Sequence, residues 1–260
     1  IMIKTEKVKG KHGDFYIIDK DMFISRSLKE YGEWGEGEME VYNACIQPKT
    51  VVIEVGSHIG SLTVPISKLC HCVFSFEPQR TVFQLLNTNL RINNIDNVYT
   101  YMNPVGNENK MVILKEVEYG LPINSGAIKL EQLQSNDTNG YSAPMVRLDD
   151  FIPSDVKVSF IKVDAETMEI EVIKGADKTI KKNRPILYLE SHLKSNQVLE
   201  NYVRDLGYKV YAHTPRGFNP DNFNKNPDPF LAPDIDGIYD FMILCVPNEI
   251  PFNTNLRLIS

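Results

Sequence analysis

The sequence predicts an α/β fold on a mostly parallel, seven-stranded sheet with helices on both faces, and three observations carry that expectation. The apolar run Val51-Val52-Ile53-Glu54-Val55 reads as a buried parallel strand, and Gly56 and Gly60 follow it at once, marking a tight turn where a ligand can approach the backbone. A second apolar run, Val73-Phe74-Ser75-Phe76, ends in Glu77-Pro78. Beyond these, strand-like and helix-like segments alternate down the chain in a βαβα rhythm.

Residues 1–47 read as an N-terminal β-hairpin and helix cap, and residues 48–260 as the main domain, the two forming one compact unit. In the cap, Phe15 to Ile18 and Met22 to Ile24, separated by Asp19-Lys20-Asp21, have the pattern of a hairpin. The stretch from Ser27 to Gln47 reads as one helix, which Pro48 ends. After the first strand come a helix at 61–69, a strand at 72–76 and an amphipathic helix at 81–93 with Val82, Leu85, Leu86 and Leu90 on one face. A third strand runs from Val98 to Asn103. From Gly106 to Met145 the periodicity breaks down, which predicts an insertion near the site, with a strand-like piece at 111–117 and a polar tract at 134–140. Regular pattern returns with a strand at 158–164, a helix at 168–182 and a strand at 186–190. A helix at 196–206 is stopped by Gly207 and followed by a strand at 208–213. The segment 214–237, rich in Pro, Asn and Asp, is long enough to be a functional lid, and a last strand follows at 241–246.

A net charge of −6 over 260 residues gives no field for nucleic acid or an anionic membrane, and no run reaches the roughly 18 apolar residues of a bilayer span. The first residues lack the apolar core of a secretion signal, so the expectation is a cytoplasmic protein. An Ile ahead of Met2 suggests either an expression scar or a domain cut from a longer polypeptide. Cys45, Cys70, Cys72 and Cys245 are too few and scattered for a disulfide scaffold, and Cys70-His71-Cys72 lacks zinc-site spacing.

In open α/β sheets ligands bind beyond the carboxyl ends of the strands, and this sequence places polar groups there repeatedly. Glu77 lies 17 residues after Gly60, near the distance at which a doubly wound fold sets a carboxylate over ribose hydroxyls. The spacing Gly56-x-x-x-Gly60 is not the G-x-G-x-x-G that wraps a pyrophosphate, and no Walker lysine follows. A phosphate-free nucleoside fits better. S-adenosylmethionine is the common one, and its sulfonium tolerates acids such as Glu54. Glu54, Gly56, Ser57, His58, Gly60, Glu77 and Asn103 are therefore the cofactor-binding candidates. Glu54 interrupts an apolar run and needs a partner, either backbone amides of the glycine loop or the cofactor's ammonium. Asp164 and Glu166, with His192 as neighbouring base, are the catalytic candidates: the acids could bind a hydroxyl, accept its proton or hold a divalent cation. Tyr31, Trp34, Glu190 and His213 are the candidates for binding the acceptor.

These residues resemble the FkbM family of S-adenosylmethionine-dependent methyltransferases, from about Tyr31 to Pro247. The family's D-V-G-A-N-x-G is matched by Glu54-Val55-Gly56-Ser57-His58-Ile59-Gly60, and its E-P by Glu77-Pro78. Leu148-Asp149-Asp150-Phe151 and the segment Lys162 to Ala176 are similar to its L-D-D-F and K-x-D-x-E-G-x-E motifs. Glu54 stands for Asp, Ser57-His58 for Ala-Asn, and Thr167 for Gly. The resemblance implies a Rossmann-like class I methyltransferase fold and O-methylation of a sugar, glycan or related natural product. It places the glycine loop on the methionine moiety, Glu77 on the ribose and Asn103 at the adenine. A nicotinamide-dependent enzyme, or a non-catalytic domain of a larger glycan-building protein, is the alternative; an RNA acceptor is opposed by the acidic balance.

Overall fold

The computed structural model describes residues 3–134, 140–191, 196–230 and 241–259. The chain opens with β1 (Thr5–Lys9) and β2 (Asp14–Ile18), then α1 (Ile24–Glu30), α2 (Glu36–Cys45) and β3 (Val51–Val55). Next come α3 (Thr63–Ser67), β4 (Cys72–Phe76), α4 (Arg80–Ile92) and β5 (Val98–Tyr101). The insertion holds β6 (Lys110–Leu114), α5 (Leu130–Leu133) and β7 (Tyr141–Met145). The second half follows with α6 (Leu148–Phe151), β8 (Val158–Val163), α7 (Glu169–Gly175), α8 (Asp177–Asn183) and β9 (Ile186–Glu190). It ends with α9 (Gln197–Asp205), β10 (Tyr208–His213), β11 (Met242–Pro247) and β12 (Arg257–Leu258).

The central sheet runs β12-β10-β11-β9-β8-β3-β4-β5. Strands β5, β4, β3, β8 and β9 are parallel, and β11 enters antiparallel between β9 and β10. This is the predicted α/β architecture, with one correction. The sheet has eight strands rather than seven, because the two-residue β12 pairs with the edge of β10. The strand order reverses at β3 and β8, with β4 and β5 added on one side and β9 on the other, which makes the carboxyl ends of β3 and β8 the topological switch point.

Both faces of the sheet are covered, so its strands are apolar at consecutive positions. Val52, Phe160, Tyr188 and Leu244 face a core shared with the hairpin and α1 to α4. Their neighbours Ile53, Ile161, Leu187 and Ile243 face the opposite core against α6 to α9. The β6–β7 hairpin and α5 form a small satellite core of their own.

Three sequence expectations need correction. The hairpin pairs β1 with β2, not Phe15–Ile18 with Met22–Ile24, because β1 is a mostly exposed polar strand without an apolar alternation to betray it. Met22 and Phe23 instead lead into α1, whose Ile24 is buried. The single helix expected over 27–47 is broken into α1 and α2, since Gly32 and Gly35 both take left-handed backbone, φ 69° and 67°. Likewise the helix expected over 168–182 is two, α7 and α8, which meet at Ala176. A side chain at Gly175 would lie 2.0 Å from the carbonyl oxygen of Gly106, so the insertion presses on the chain there.

The hairpin docks on α4 through two asparagines one turn apart. Asn89 Oδ1 accepts from Tyr16 N (2.6 Å), while its Nδ2 donates to Tyr16 O (3.1 Å) and Ile59 O (2.8 Å). Asn93 repeats the clamp on Asp14, accepting from its N at 2.9 Å and donating to its O at 2.7 Å. Asn89 is fully buried, so Asn89→Ala leaves backbone groups of Tyr16 and Ile59 unpaired. Urea unfolding is expected to show a loss of about 2 kcal/mol, and a smaller loss for the part-buried Asn93→Ala.

Candidate active site

At the switch point the structure opens a small pocket of about 80 Å³. Gly56, His58, Glu77, Asn103, Asp164 and Glu166 line it from the strand ends. Gly126, Ile128, Leu130 and Leu133 of the insertion, with Ile24 of α1, line it too. The predicted insertion near the site is therefore an apolar roof over it.

Gly56 has to be glycine. Its φ is +85°, and a Cβ there would lie 1.8 Å from the carbonyl oxygen of Asp164. The turn is held by Gly56 N and Ser57 N, which both donate to Phe76 O, at 2.9 and 3.2 Å. Glu77 sits at the end of β4, 3% exposed. Its Oε2 accepts from His58 N (2.9 Å) and its Oε1 from Gln79 N (2.8 Å). Burial pushes its pKa up to about 7 against the opposing pull of these two amides. Each carboxylate oxygen still has acceptor capacity for a ligand hydroxyl.

Behind the pocket lies a buried charge cluster centred on Lys162 of β8, whose ammonium is 3.0 Å from Asp164 Oδ2. Burial works against that charge, yet Asp164, Glu38 and Glu54 overcome it and hold the lysine above its ordinary value. Glu38, at the start of α2, accepts from Tyr42 OH (2.6 Å), and burial raises its pKa to about 7. Glu54 is buried on β3, its pKa raised by burial; Thr63 Oγ1 donates to its Oε2 at 2.6 Å. Its partners are thus Thr63 and the Lys162 charge rather than amides of the glycine loop.

The remaining candidates fall in three places. Ser57 and Gly60 shape the loop from behind the pocket: Ser57 Oγ bonds Ser75 Oγ (2.6 Å), and Gly60 faces Leu86. Glu190, at the end of β9, joins Asp164 and Glu166, with a carboxylate oxygen of each within 4.8 Å of the others. Such a trio could hold a divalent cation completed by water. Trp34 and His213 border a separate polar cleft of about 630 Å³ with Glu36, Asn43 and Arg216. Tyr31 is 1% exposed and packs: its ring stacks on Phe230 (4.7 Å), and its hydroxyl donates to Asp228 O (2.6 Å), anchoring the 218–230 loop. His192, the polar tract at 135–139 and the later part of the 214–237 loop lie outside the described residues.

Sequence reasoning missed Lys162, Gln79 and the roof. A lysine inside an apolar strand carries the same signal as Glu54, a charge that burial makes costly without a partner. The roof residues carry none, because their role depends on where the insertion folds.

Two outcomes follow. Gly56→Ala is expected to lower the unfolding free energy by at least about 2 kcal/mol in urea melts, from steric overlap and left-handed strain combined. For Glu38, the folded chain keeps a proton that the unfolded chain releases above its ordinary 4.5, up to about 7. The stability of the wild type relative to Glu38→Gln is therefore expected to fall as pH rises from about 4.5 to 7. Melts of the pair across that range check the sign.

Several known proteins are similar to this chain. A curated relative, Methyltransferase 1 of Beauveria bassiana (strain ARSEF 2860), is 26% identical over 145 residues, 48% of this chain. The match covers 58% of that protein, so the chain spans a little over half the length of the curated relative it matches. Among solved structures, the methyltransferase FkbM from Methylobacillus flagellatus KT is similar at 18% identity and a TM-score of 0.47, over 79% of this chain and 50% of that one. TYW2 of M. jannaschii in complex with AdoMet is similar at 13% identity and a TM-score of 0.44, over 94% and 86%. The family model of the methyltransferase FkbM domain matches residues 54–210, which takes in the glycine loop, Glu77 and the Lys162 to Ala176 motif. With more than half of its length matched, this chain belongs to the FkbM methyltransferase family.

Proposed function

We propose that the protein is an S-adenosylmethionine-dependent O-methyltransferase acting on a hydroxyl of a sugar, a glycan or a related natural product. The observation that carries the reading is the acid-lined pocket at the switch point, with Glu77 at the end of β4 and the glycine-only approach at Gly56. These residues fit the cofactor. Glu77, Asp164 and Glu166 line the pocket with negative charge, which suits a ligand bearing a sulfonium and an ammonium. The roof supplies the apolar surface an adenine needs.

When bound, S-adenosylmethionine supplies an electrophilic methyl group whose in-line transfer forms an O–C bond as the C–S bond breaks, leaving the acceptor's proton to be taken up. Glu77 accepts from the ribose hydroxyls and fixes the adenosyl end. Asn103 Nδ2 is spent on Pro144 O at 2.7 Å, so its Oδ1 is the acceptor it offers at the adenine edge. Asp164 and Glu166 hold the acceptor hydroxyl and take its proton. Glu190 extends that acidic edge, and His192 belongs to the same strand end in the sequence. Lys162 offsets part of the negative charge with its buried ammonium, and Asp164, Glu166 and Glu190 together have the donor set for a divalent cation. The polar cleft bordered by Trp34 and His213 suits a polyhydroxylated acceptor. The reading describes a protein that works on a small-molecule or glycan acceptor and not on nucleic acid, and it is compatible with a domain of a larger protein.

Calorimetry tests the cofactor: S-adenosylmethionine is expected to bind the wild type, and Glu77→Ala to weaken binding by at least about tenfold, since two ribose hydrogen bonds are lost. Equal binding by both would overturn the ribose assignment. Transfer of labelled methyl groups to a panel of glycans tests the acceptor. Turnover is expected to drop at least about a hundredfold in Asp164→Asn, the range of a lost general base, and the same assay with and without EDTA decides whether the acid trio works with a cation.

A further inference from the structure

A buried relay ties the pocket's glycine loop to the insertion and to the N-terminal cap. His58 Nε2 is 2.8 Å from Ser125 Oγ, and Ser125 Oγ donates to Asp21 Oδ1 at 2.7 Å. Asp21 also accepts from Ser125 N (3.0 Å) on the same oxygen and from Ser25 N (2.6 Å) on the other. Three donors converge on it, which a carboxylate satisfies and an amide cannot. Asp21, Ser125 and His58 are 2%, 0% and 6% exposed. Around the relay, Met22 N donates to Ile123 O (2.8 Å) and Ile123 N to Lys20 O (3.0 Å), joining cap and insertion by backbone. Gln79, beside Glu77, donates from Nε2 to Ser125 O (3.1 Å) and accepts from Tyr119 OH (2.8 Å).

The proton count fixes the tautomer. Ser125 has one hydroxyl proton and gives it to Asp21, so its bond with His58 requires His58 to donate from Nε2. His58, one of the pocket-lining residues, is then left with a bare acceptor at Nδ1, which is buried and has no hydrogen-bond partner among the described residues. Burial favours the neutral imidazole this requires, over the opposing charges of Asp21 and Asp164. Ser125 is followed directly by Gly126, the first of the roof residues that line the pocket.

We propose that Asp21 and Ser125 are positioning residues for the cofactor: they pin the roof to the cap and lock His58 as the Nε2–H tautomer, so that Nδ1 accepts a hydrogen bond from the bound adenosyl ligand. The proposal rests on the cofactor reading above. It makes the cap part of the cofactor site rather than a cover over it. With both ribose hydroxyl protons given to Glu77, the ligand's ammonium is the donor of the right chemistry, and His58 N already holds Glu77.

Nitrogen-15 NMR of the full chain labelled at histidine tests the relay, with His58→Asn assigning the signal and S-adenosylhomocysteine as the probe ligand. The wild type is expected to show His58 as the Nε2–H tautomer, with the Nδ1 resonance moving on addition of ligand. Ser125→Ala and Asp21→Asn are each expected to lose the single tautomer and to weaken ligand binding about tenfold, and Ser125→Thr, which keeps the hydroxyl, to restore both. An Nδ1–H tautomer in the wild type would overturn the proposal, as would Ser125→Ala binding within about twofold of wild type. A wild type that binds no S-adenosylhomocysteine brings down the cofactor reading instead, while the tautomer, which needs no ligand, still decides the relay.

Discussion

The buried ammonium of Lys162 is the constraint around which this site is assembled. A charge inside a doubly covered sheet is tolerable only when opposite charges surround it, and three different elements supply them. Glu38 comes from the cap helix α2, Glu54 from β3 and Asp164 from the end of β8 itself. The lysine therefore fixes the carboxyl edge of the sheet and the placement of α2 on it in a single cluster. Removing the lysine would leave three buried carboxyl groups facing one another without a cation, so the cluster turns on that one ammonium. It also explains how a pocket edge can carry several acids without their repelling one another apart.

Much of the scaffold was readable from pattern. Strands buried on both faces are apolar at most positions, and the runs at Val51–Val55, Cys72–Phe76 and Ile186–Glu190 occur where that rule puts them, with Glu54, Ser75 and Glu190 as the polar exceptions. Pattern failed where long-range contact overrides local preference. The helix expected over 27–47 gave way because Gly32 and Gly35 turn the chain left-handed to bring Tyr31 and Trp34 inward. The hairpin was misplaced by one strand because β1 rests its stability on pairing and on the asparagine clamp of β2, not on apolar burial of its own. Within the site, residues on strand ends were identifiable because topology dictates what strand ends do. Ser125, Gln79 and the apolar roof were not, since no periodicity announces where an insertion will fold back. Asp21 was visible only as part of a turn, and its hydrogen bonds reach across 104 residues of sequence.

The insertion changes how the pocket should be understood. Strand ends give a shallow crevice, and depth comes from what closes over it. Here the closing segment has its own small core of Val112, Leu114, Leu130, Leu133, Ala143 and Met145. That core can hold the roof's shape while the polar contacts of Ser125 and Gln79 set its height over Glu77. Rigidity of the roof and its attachment are thus carried by different groups, one apolar and one polar, and substitutions can separate them.

Along the carboxyl edge the chemistry changes in one direction. The apolar roof covers the β3 to β5 side, the acids cluster at β8 and β9, and the polar cleft opens at β10 beyond the reversed β11. Neighbouring strands lie about 4.8 Å apart, so His213 on β10 stands roughly 14 Å from Asp164 on β8, three strand spacings away. An acceptor that reached both would have to be elongated and polar, with the reacting hydroxyl at one end. Tyr188 links the two regions from below, its hydroxyl 2.7 Å from His213 Nδ1 while its ring packs edge-on to Tyr42, the partner of Glu38. The cleft and the charge cluster therefore share a rigid aromatic support, and the distance between them is set by the sheet itself rather than by the loops above it.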